Sequence, residues 1–140
     1  TLLIYGEGSL KKNLEEQAHK LNVDAQFRGR IANEELPTAL NACEIFVLPS
    51  LYEGNPKVLL EAMACGLPVV GTDVEGITAI IEHEKTGLIC KTDPDSIRQA
   101  INRLLDDPGL RSRLGKAARN SILESTSLTR AIQTEATLYL

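Results

Sequence analysis

Two glutamates, Glu53 and Glu61, stand eight positions apart in the stretch Tyr52-Glu53-Gly54-Asn55-Pro56-Lys57-Val58-Leu59-Leu60-Glu61. The apolar run Ile45-Phe46-Val47-Leu48-Pro49 before them reads as a strand, and Gly66 after them reads as a helix stop. Glu53 therefore falls in a strand-to-helix loop, and Glu61 about one turn inside the helix. Pro56 suits the first turn, where a missing N–H would be an orphan anyway. The N–H groups of Lys57, Val58 and Leu59 then point beyond the strand end, and the helix dipole adds partial positive charge there. Such a start is an anion site. A carboxylate on either side of it can accept hydrogen bonds from sugar hydroxyls flanking a bound phosphate.

The elements that must position these groups follow from periodicity and punctuation. Thr1 to Tyr5 opens the chain as a buried parallel strand, and Ser9 caps a helix through Lys20 with the stripe Leu10, Leu14, Ala18 and Leu21. Ala25 to Gly29 is a second strand, and Asn33 caps a short amphipathic helix running to Cys43. Strand Ile45 to Leu48, helix Pro56 to Cys65 and strand Pro68 to Gly71 form the central unit. A helical turn over Ile77 to Glu82 and a strand over Gly87 to Cys90 follow. From Asp93, a further cap, the pattern is helical: Asp95 to Asp106, Pro108 to about Glu124, and Ser127 to Leu140. Strands alternating with helices predict an α/β fold, a Rossmann-like, doubly wound parallel sheet flanked by helices with a helical C-terminal segment.

The central stretch, continued by Ala62-Met63-Ala64-Cys65-Gly66-Leu67-Pro68-Val69-Val70, resembles the C-terminal donor-binding domain of the retaining glycosyltransferases of family four (group 1, GT-B fold). Ile4-Tyr5-Gly6-Glu7-Gly8, Phe27-Arg28-Gly29-Arg30-Ile31, Gly71-Thr72-Asp73-Val74-Glu75-Gly76-Ile77 and Thr86-Gly87-Leu88-Ile89 extend the resemblance over nearly the whole chain. It implies transfer of a sugar from a UDP-, GDP- or ADP-sugar to an acceptor hydroxyl, with retention at the anomeric carbon. Glu53 would be the catalytic-site residue on the donor sugar, and Glu61 would hold the ribose. Gly54, Asn55, Pro56, Lys57, Val58 and Leu59 would line the diphosphate. Arg30 and Ile31 would stand where the base is read by backbone groups, although a turn residue and a core contact describe them equally well. Lys57 can face phosphate or simply sit at the surface.

The resemblance implies neither a metal nor another cofactor, and there is no Asp-x-Asp pair. It also implies that residues 1–140 are a single donor-binding domain, truncated on its N-terminal side, whose partners are the nucleotide sugar, an acceptor and an acceptor-binding N-terminal domain. The location implied is the cytoplasm, or the cytoplasmic face of a membrane for the full-length protein. Two departures stand out. Glu75 replaces the first of two glycines usual in the family, and the later glutamate is missing. Gly6-Glu7-Gly8 lacks the third glycine of a dinucleotide fingerprint, Lys11 standing in its place.

Composition agrees with one small core. The chain has 140 residues, 43% of them hydrophobic, a net charge of −4 and 4% aromatics, which excludes a basic nucleic-acid footprint. No apolar run approaches the ~20 residues of a membrane-spanning helix. Cys43, Cys65 and Cys90 lack metal-site spacing and read as buried, reduced thiols. His19 and His83 read as solvated, as do Arg98, Arg103, Arg111, Arg113, Lys116 and Arg119. Two alternatives stay open: a binding module without turnover, and another GT-B enzyme such as a sugar-nucleotide epimerase.

Overall fold

The structure is a computed structural model, and it describes residues 1–126. The helix expected over Ser127 to Leu140 lies outside the described residues. The chain divides into two compact units, Thr1–Leu36 and the part from Pro37 onward.

In the first unit, β1 (Leu2–Tyr5), α1 (Lys11–Lys20) and β2 (Ala25–Gly29) form one βαβ turn. The two strands pair in parallel from Leu2 opposite Ala25, with an irregularity between Ile4 and Tyr5. The second strand has the predicted bounds, but the helix does not start as predicted. Leu10, in helical conformation, is the residue before the first turn, and no side chain caps it. Ser9 belongs instead to the preceding turn. The expected stripe is not a core either. Leu10 and Leu21 are 63% and 64% exposed, Leu14 is exposed as well, and no residue of this unit is buried. Nor is β1 the buried strand expected, since Leu2 and Tyr5 are exposed.

The second unit carries the core. It runs through α2 (Leu36–Asn41, whose first residue closes the first unit), β3 (Phe46–Leu48), α3 (Lys57–Ala64), β4 (Val69–Thr72), α4 (Glu75–Thr78), β5 (Leu88–Cys90), α5 (Pro94–Asp106) and α6 (Pro108–Thr126). The three strands form a parallel sheet in the order β3-β4-β5. Central β4, Val69-Val70-Gly71-Thr72, is buried at all four positions, as a parallel strand covered on both faces must be. Alternation assigns the faces. Val70 packs with Leu88, Leu104, Leu110 and Leu114, so α5 and α6 cover one face. Gly71 lies under Ile77 and Ile81, so α4 and the residues after it cover the other. Helices on both faces of a parallel sheet are the α/β architecture expected.

The bounds of α2 and α4 differ from expectation. Asn33 lies in a turn, and α2 begins three residues later and ends before Cys43. The short helix after β4 starts at Glu75, because extended Val74 serves as its N-cap. Asp93 does cap α5, accepting the Ser96 N–H at 2.9 Å. The cationic side chains of the C-terminal helices are not merely solvated. Arg103 pairs with the Glu84 carboxylate and Arg113 donates to the Glu84 carbonyl. Arg111 donates to the Leu104 and Leu105 carbonyls at 3.1 Å, and Arg119 to that of Ala64. α6 also crosses close to the end of α3. A Cβ on Gly115 would lie 3.2 Å from the Gly66 carbonyl carbon and closer still to its oxygen, so only glycine fits. The cysteines are free thiols, each half-buried rather than buried.

Candidate functional site

The sheet order places the ends of β3 and β4 side by side, and the loop carrying Glu53 springs from the first of them. Open parallel sheets bind ligands beyond these carboxyl ends. From β3 the chain runs through Pro49 and Ser50 to Glu53, and α3 begins at Lys57 with Pro56 as N-cap (φ −74°, ψ 89°). Pro56 is thus one position earlier than the first-turn place expected, and it is buried. At the far end Gly66, with φ +80°, takes the left-handed conformation that stops a helix.

The amides at the helix start correct one expectation. Leu59 N–H donates to the Pro56 carbonyl oxygen at 3.0 Å. It is therefore committed inside the first turn, and of the three amides Lys57 and Val58 alone have no partner among the described residues. Two backbone donors, not three, remain for an anion. The Lys57 side chain is exposed, and so are Gly54 and Asn55.

Glu53 is half-buried and accepts a hydrogen bond from Ser50 Oγ at 2.7 Å on Oε1. The start of α4 packs against the same loop. A Cβ on Gly76 would lie 2.7 Å from the Gly54 carbonyl oxygen and closer to that of Glu53, so the backbones touch here without room for a side chain. Its neighbour Glu75, the departure noted above, sits exposed in the first turn of α4, where a carboxylate suits the helix dipole. Glu61 is exposed, while Leu59, Ala62 and Met63 are buried. Its apolar sequence neighbours do not bury it, because adjacent helix positions point about 100° apart. Exposure leaves its carboxylate accessible to a ligand.

Arg30 and Ile31 follow β2 in the first unit. Arg30 is exposed and its Nε lies 3.1 Å from Glu7 Oε2, and Ile31 is half-buried. Glu53, Gly54, Asn55, Pro56, Lys57, Val58, Leu59 and Glu61 thus share one strand–loop–helix segment of the second unit. Sequence reasoning missed Thr72 and Gly76, whose contacts with the Glu53 loop are made across the fold, and Ser50, whose bond to Glu53 spans only three residues. It also passed over Leu51, 80% exposed beside the loop carboxylate, and the 84% exposure of Tyr52.

Elsewhere, Asp73, His83, Cys90, Lys91, Ser96 and Arg103 border an open groove of about 400 Å³ between β5 and α5. Burial, with the Asp93 charge adding to it, pushes the Cys90 thiol up, away from an activated nucleophile. His83 is exposed but not simply solvated. The Ile89 N–H donates to its Nδ1 at 2.9 Å. No group of three or more His, Cys, Asp or Glu with metal-binding geometry occurs among the described residues, and no described helix is long and apolar enough to cross a membrane.

A parallel sheet with helices on both faces, carrying a helix start beyond its strand ends, defines an open, doubly wound type of α/β domain. The family model for glycosyl transferases group 1 matches residues 1–121, and the chain belongs to that family. An uncharacterized glycosyltransferase of Methanocaldococcus jannaschii is 35% identical over 129 residues, 90% of this chain and 33% of the relative. The Escherichia coli UDP-Gal:alpha-D-GlcNAc-diphosphoundecaprenol alpha-1,3-galactosyltransferase is 29% identical over 143 residues, 99% of this chain and 36% of the relative. Among solved structures, sucrose-phosphate synthase of Thermosynechococcus elongatus superposes with a TM-score of 0.85 at 30% identity, covering 99% of this chain and 37% of that one. The chain spans about a third of the length of each.

Proposed function

We propose that this chain is the donor-binding part of a retaining glycosyltransferase of family four, which transfers a sugar from a nucleoside-diphosphate sugar to an acceptor hydroxyl. The observation that carries the reading is the strand–loop–helix segment from β3 through α3. It offers two unpaired amides at a helix start, a half-buried carboxylate before them and an exposed one a turn after. Membership in the group 1 family, and the UDP-Gal in the name of the Escherichia coli relative, support a nucleotide sugar as the ligand.

In this reading the Lys57 and Val58 amides, aided by the helix dipole, hold the diphosphate and stabilise it as it departs. Glu61 accepts hydrogen bonds from the ribose hydroxyls, and Glu53 from those of the donor sugar. The acceptor enters from a second domain of the full-length protein, which works in the cytoplasm. The leaving phosphate takes part in deprotonating the acceptor on the face it leaves, which gives retention. No acid–base pair is assigned to the two glutamates, and no metal is assigned to the diphosphate.

The test is calorimetric, on the full-length protein. Glu61→Ala should weaken nucleoside diphosphate and sugar nucleotide alike, and Glu53→Ala only the sugar nucleotide. A charge-assisted hydrogen bond lost in each case costs on the order of 1.5–3 kcal/mol. Equal losses with both ligands for both variants would overturn the assignment.

A further inference from the structure

Around Glu53 the structure holds a line of polar contacts that no part of the two-glutamate motif contains. Thr72, at the end of β4, is the single buried polar side chain among the described residues, 1% exposed. Its hydroxyl donates to the Ser50 carbonyl oxygen at 2.5 Å, and the Leu48 carbonyl lies more distant at 3.5 Å. One proton serves one strong bond, so Thr72 ties the β3–α3 loop to the neighbouring strand at Ser50. Ser50 then uses its own Oγ–H on Glu53 Oε1 at 2.7 Å. Glu53 Oε2 has no partner among the described residues. Gly76 closes the loop from the other side by backbone approach at Glu53 and Gly54.

A glutamate side chain is flexible, and freezing it on a ligand costs rotamer entropy. One oxygen already held by a hydroxyl reduces that cost and leaves the other oxygen with open acceptor sites. We infer that Ser50 is a positioning residue, which holds Glu53 by Oε1 so that Oε2 is presented to a hydroxyl of the donor sugar, with Thr72 fixing the Ser50 backbone. The inference rests on the assignment of Glu53 to the sugar. It predicts that Ser50 contributes to recognition of the sugar and not of the diphosphate, a division that a general structural role would not produce.

The experiment uses the full-length protein and three probe pairs: UDP with UDP-glucose, GDP with GDP-mannose, and ADP with ADP-glucose. Titration calorimetry gives, for the pair that binds, the ratio of sugar-nucleotide to diphosphate affinity. Ser50→Ala is expected to lower that ratio roughly tenfold while diphosphate affinity stays within about twofold. Ser50→Thr, which keeps a hydroxyl, should restore it. Glu53→Ala runs beside them. If Glu53→Ala lowers the ratio and Ser50→Ala does not, the positioning role is wrong and the sugar assignment stands. If neither lowers it, or no pair binds, the sugar assignment fails and the positioning role fails with it. A Ser50→Ala loss shared equally by diphosphate and sugar nucleotide also overturns the inference, since it marks a general disturbance of the loop.

Discussion

Lys57 offers two separable groups to an anion, its ammonium and its amide, and paired substitutions can remove them one at a time. Lys57→Ala deletes the cation and keeps the amide. Lys57→Pro deletes both, and the local geometry favours it. The position is the first of α3, where proline is best tolerated, and the side chain is exposed, so no packing is lost. The preceding residue must avoid the helical region, and Pro56 already does, at φ −74° and ψ 89°. With the Leu59 amide committed to the Pro56 carbonyl, Lys57→Pro removes one of only two donors. A hydrogen bond to a charged group contributes about 1.5–3 kcal/mol, which is roughly ten- to hundred-and-fifty-fold in Kd. Lys57→Ala should change Kd for the nucleoside diphosphate by less than about threefold, because an exposed cation near phosphate is screened by solvent and salt. Calorimetry at low and at physiological salt, with circular dichroism to confirm folding, provides the comparison. If Lys57→Ala proves as damaging as Lys57→Pro, the ammonium and not the helix start holds the phosphate.

Two further expectations concern stability. Leu114 is completely buried in the core of the second unit, whereas Leu14 on α1 is 43% exposed. Leu114→Ala should cost about 2–5 kcal/mol and Leu14→Ala no more than ~0.5 kcal/mol, which urea titration resolves. Similar losses at both sites would show that α1 has a buried face after all. On the acid side, the Ser96 N–H holds the Asp93 carboxyl below its usual range, and the Arg103 guanidinium does the same for Glu84. Both native pKa values lie below the unfolded ones of 3.8 and 4.5, so their contribution is complete above those values and is lost as pH falls through and below them. Thermal melts between pH 7 and pH 3 should show the wild type losing more than Asp93→Ala combined with Glu84→Gln, and the gap should narrow in high salt. Parallel curves would deny both carboxylates a role.

What was legible in the chain was local. Ala25–Gly29, the Pro56 and Gly66 limits of the motif helix and the Asp93 cap all rest on residues whose backbone preferences or reach act within four positions. Expectations failed where neighbours in space decide. Ser9 is a good cap by type, but the turn before α1 carries the chain one residue past it. Leu10, Leu14 and Leu21 have helical spacing, which identifies a face without saying what covers it. Glu61 has apolar neighbours on both sides in sequence, yet it is exposed, because those neighbours point elsewhere on the helix. The loss of the Leu59 amide follows from a tight first turn, which Pro56 alone does not reveal. Ser50 reaches Glu53 within three positions, but its residue type alone does not single it out, and the Thr72 tie to Ser50 spans 22 residues and forms only because β3 and β4 are neighbours.

The crossing of Gly66 and Gly115 bears on where this unit can be shortened. A helix near the end of a chain is often treated as a trimmable tail. Here α6 supplies Leu110, Leu114, Ala118 and Ile122 to the interior and lies against the carbonyl of the residue that ends α3. A version stopped at Asp107 would remove Leu110 and Leu114 from the cover of Val70 and Leu88, leaving Leu104 of α5, and would leave the Ala64 carbonyl without Arg119. The segment bearing Glu53 and Glu61 would then rest on a sheet with one face only partly covered. For any minimal version of this unit, α6 is therefore part of the foundation.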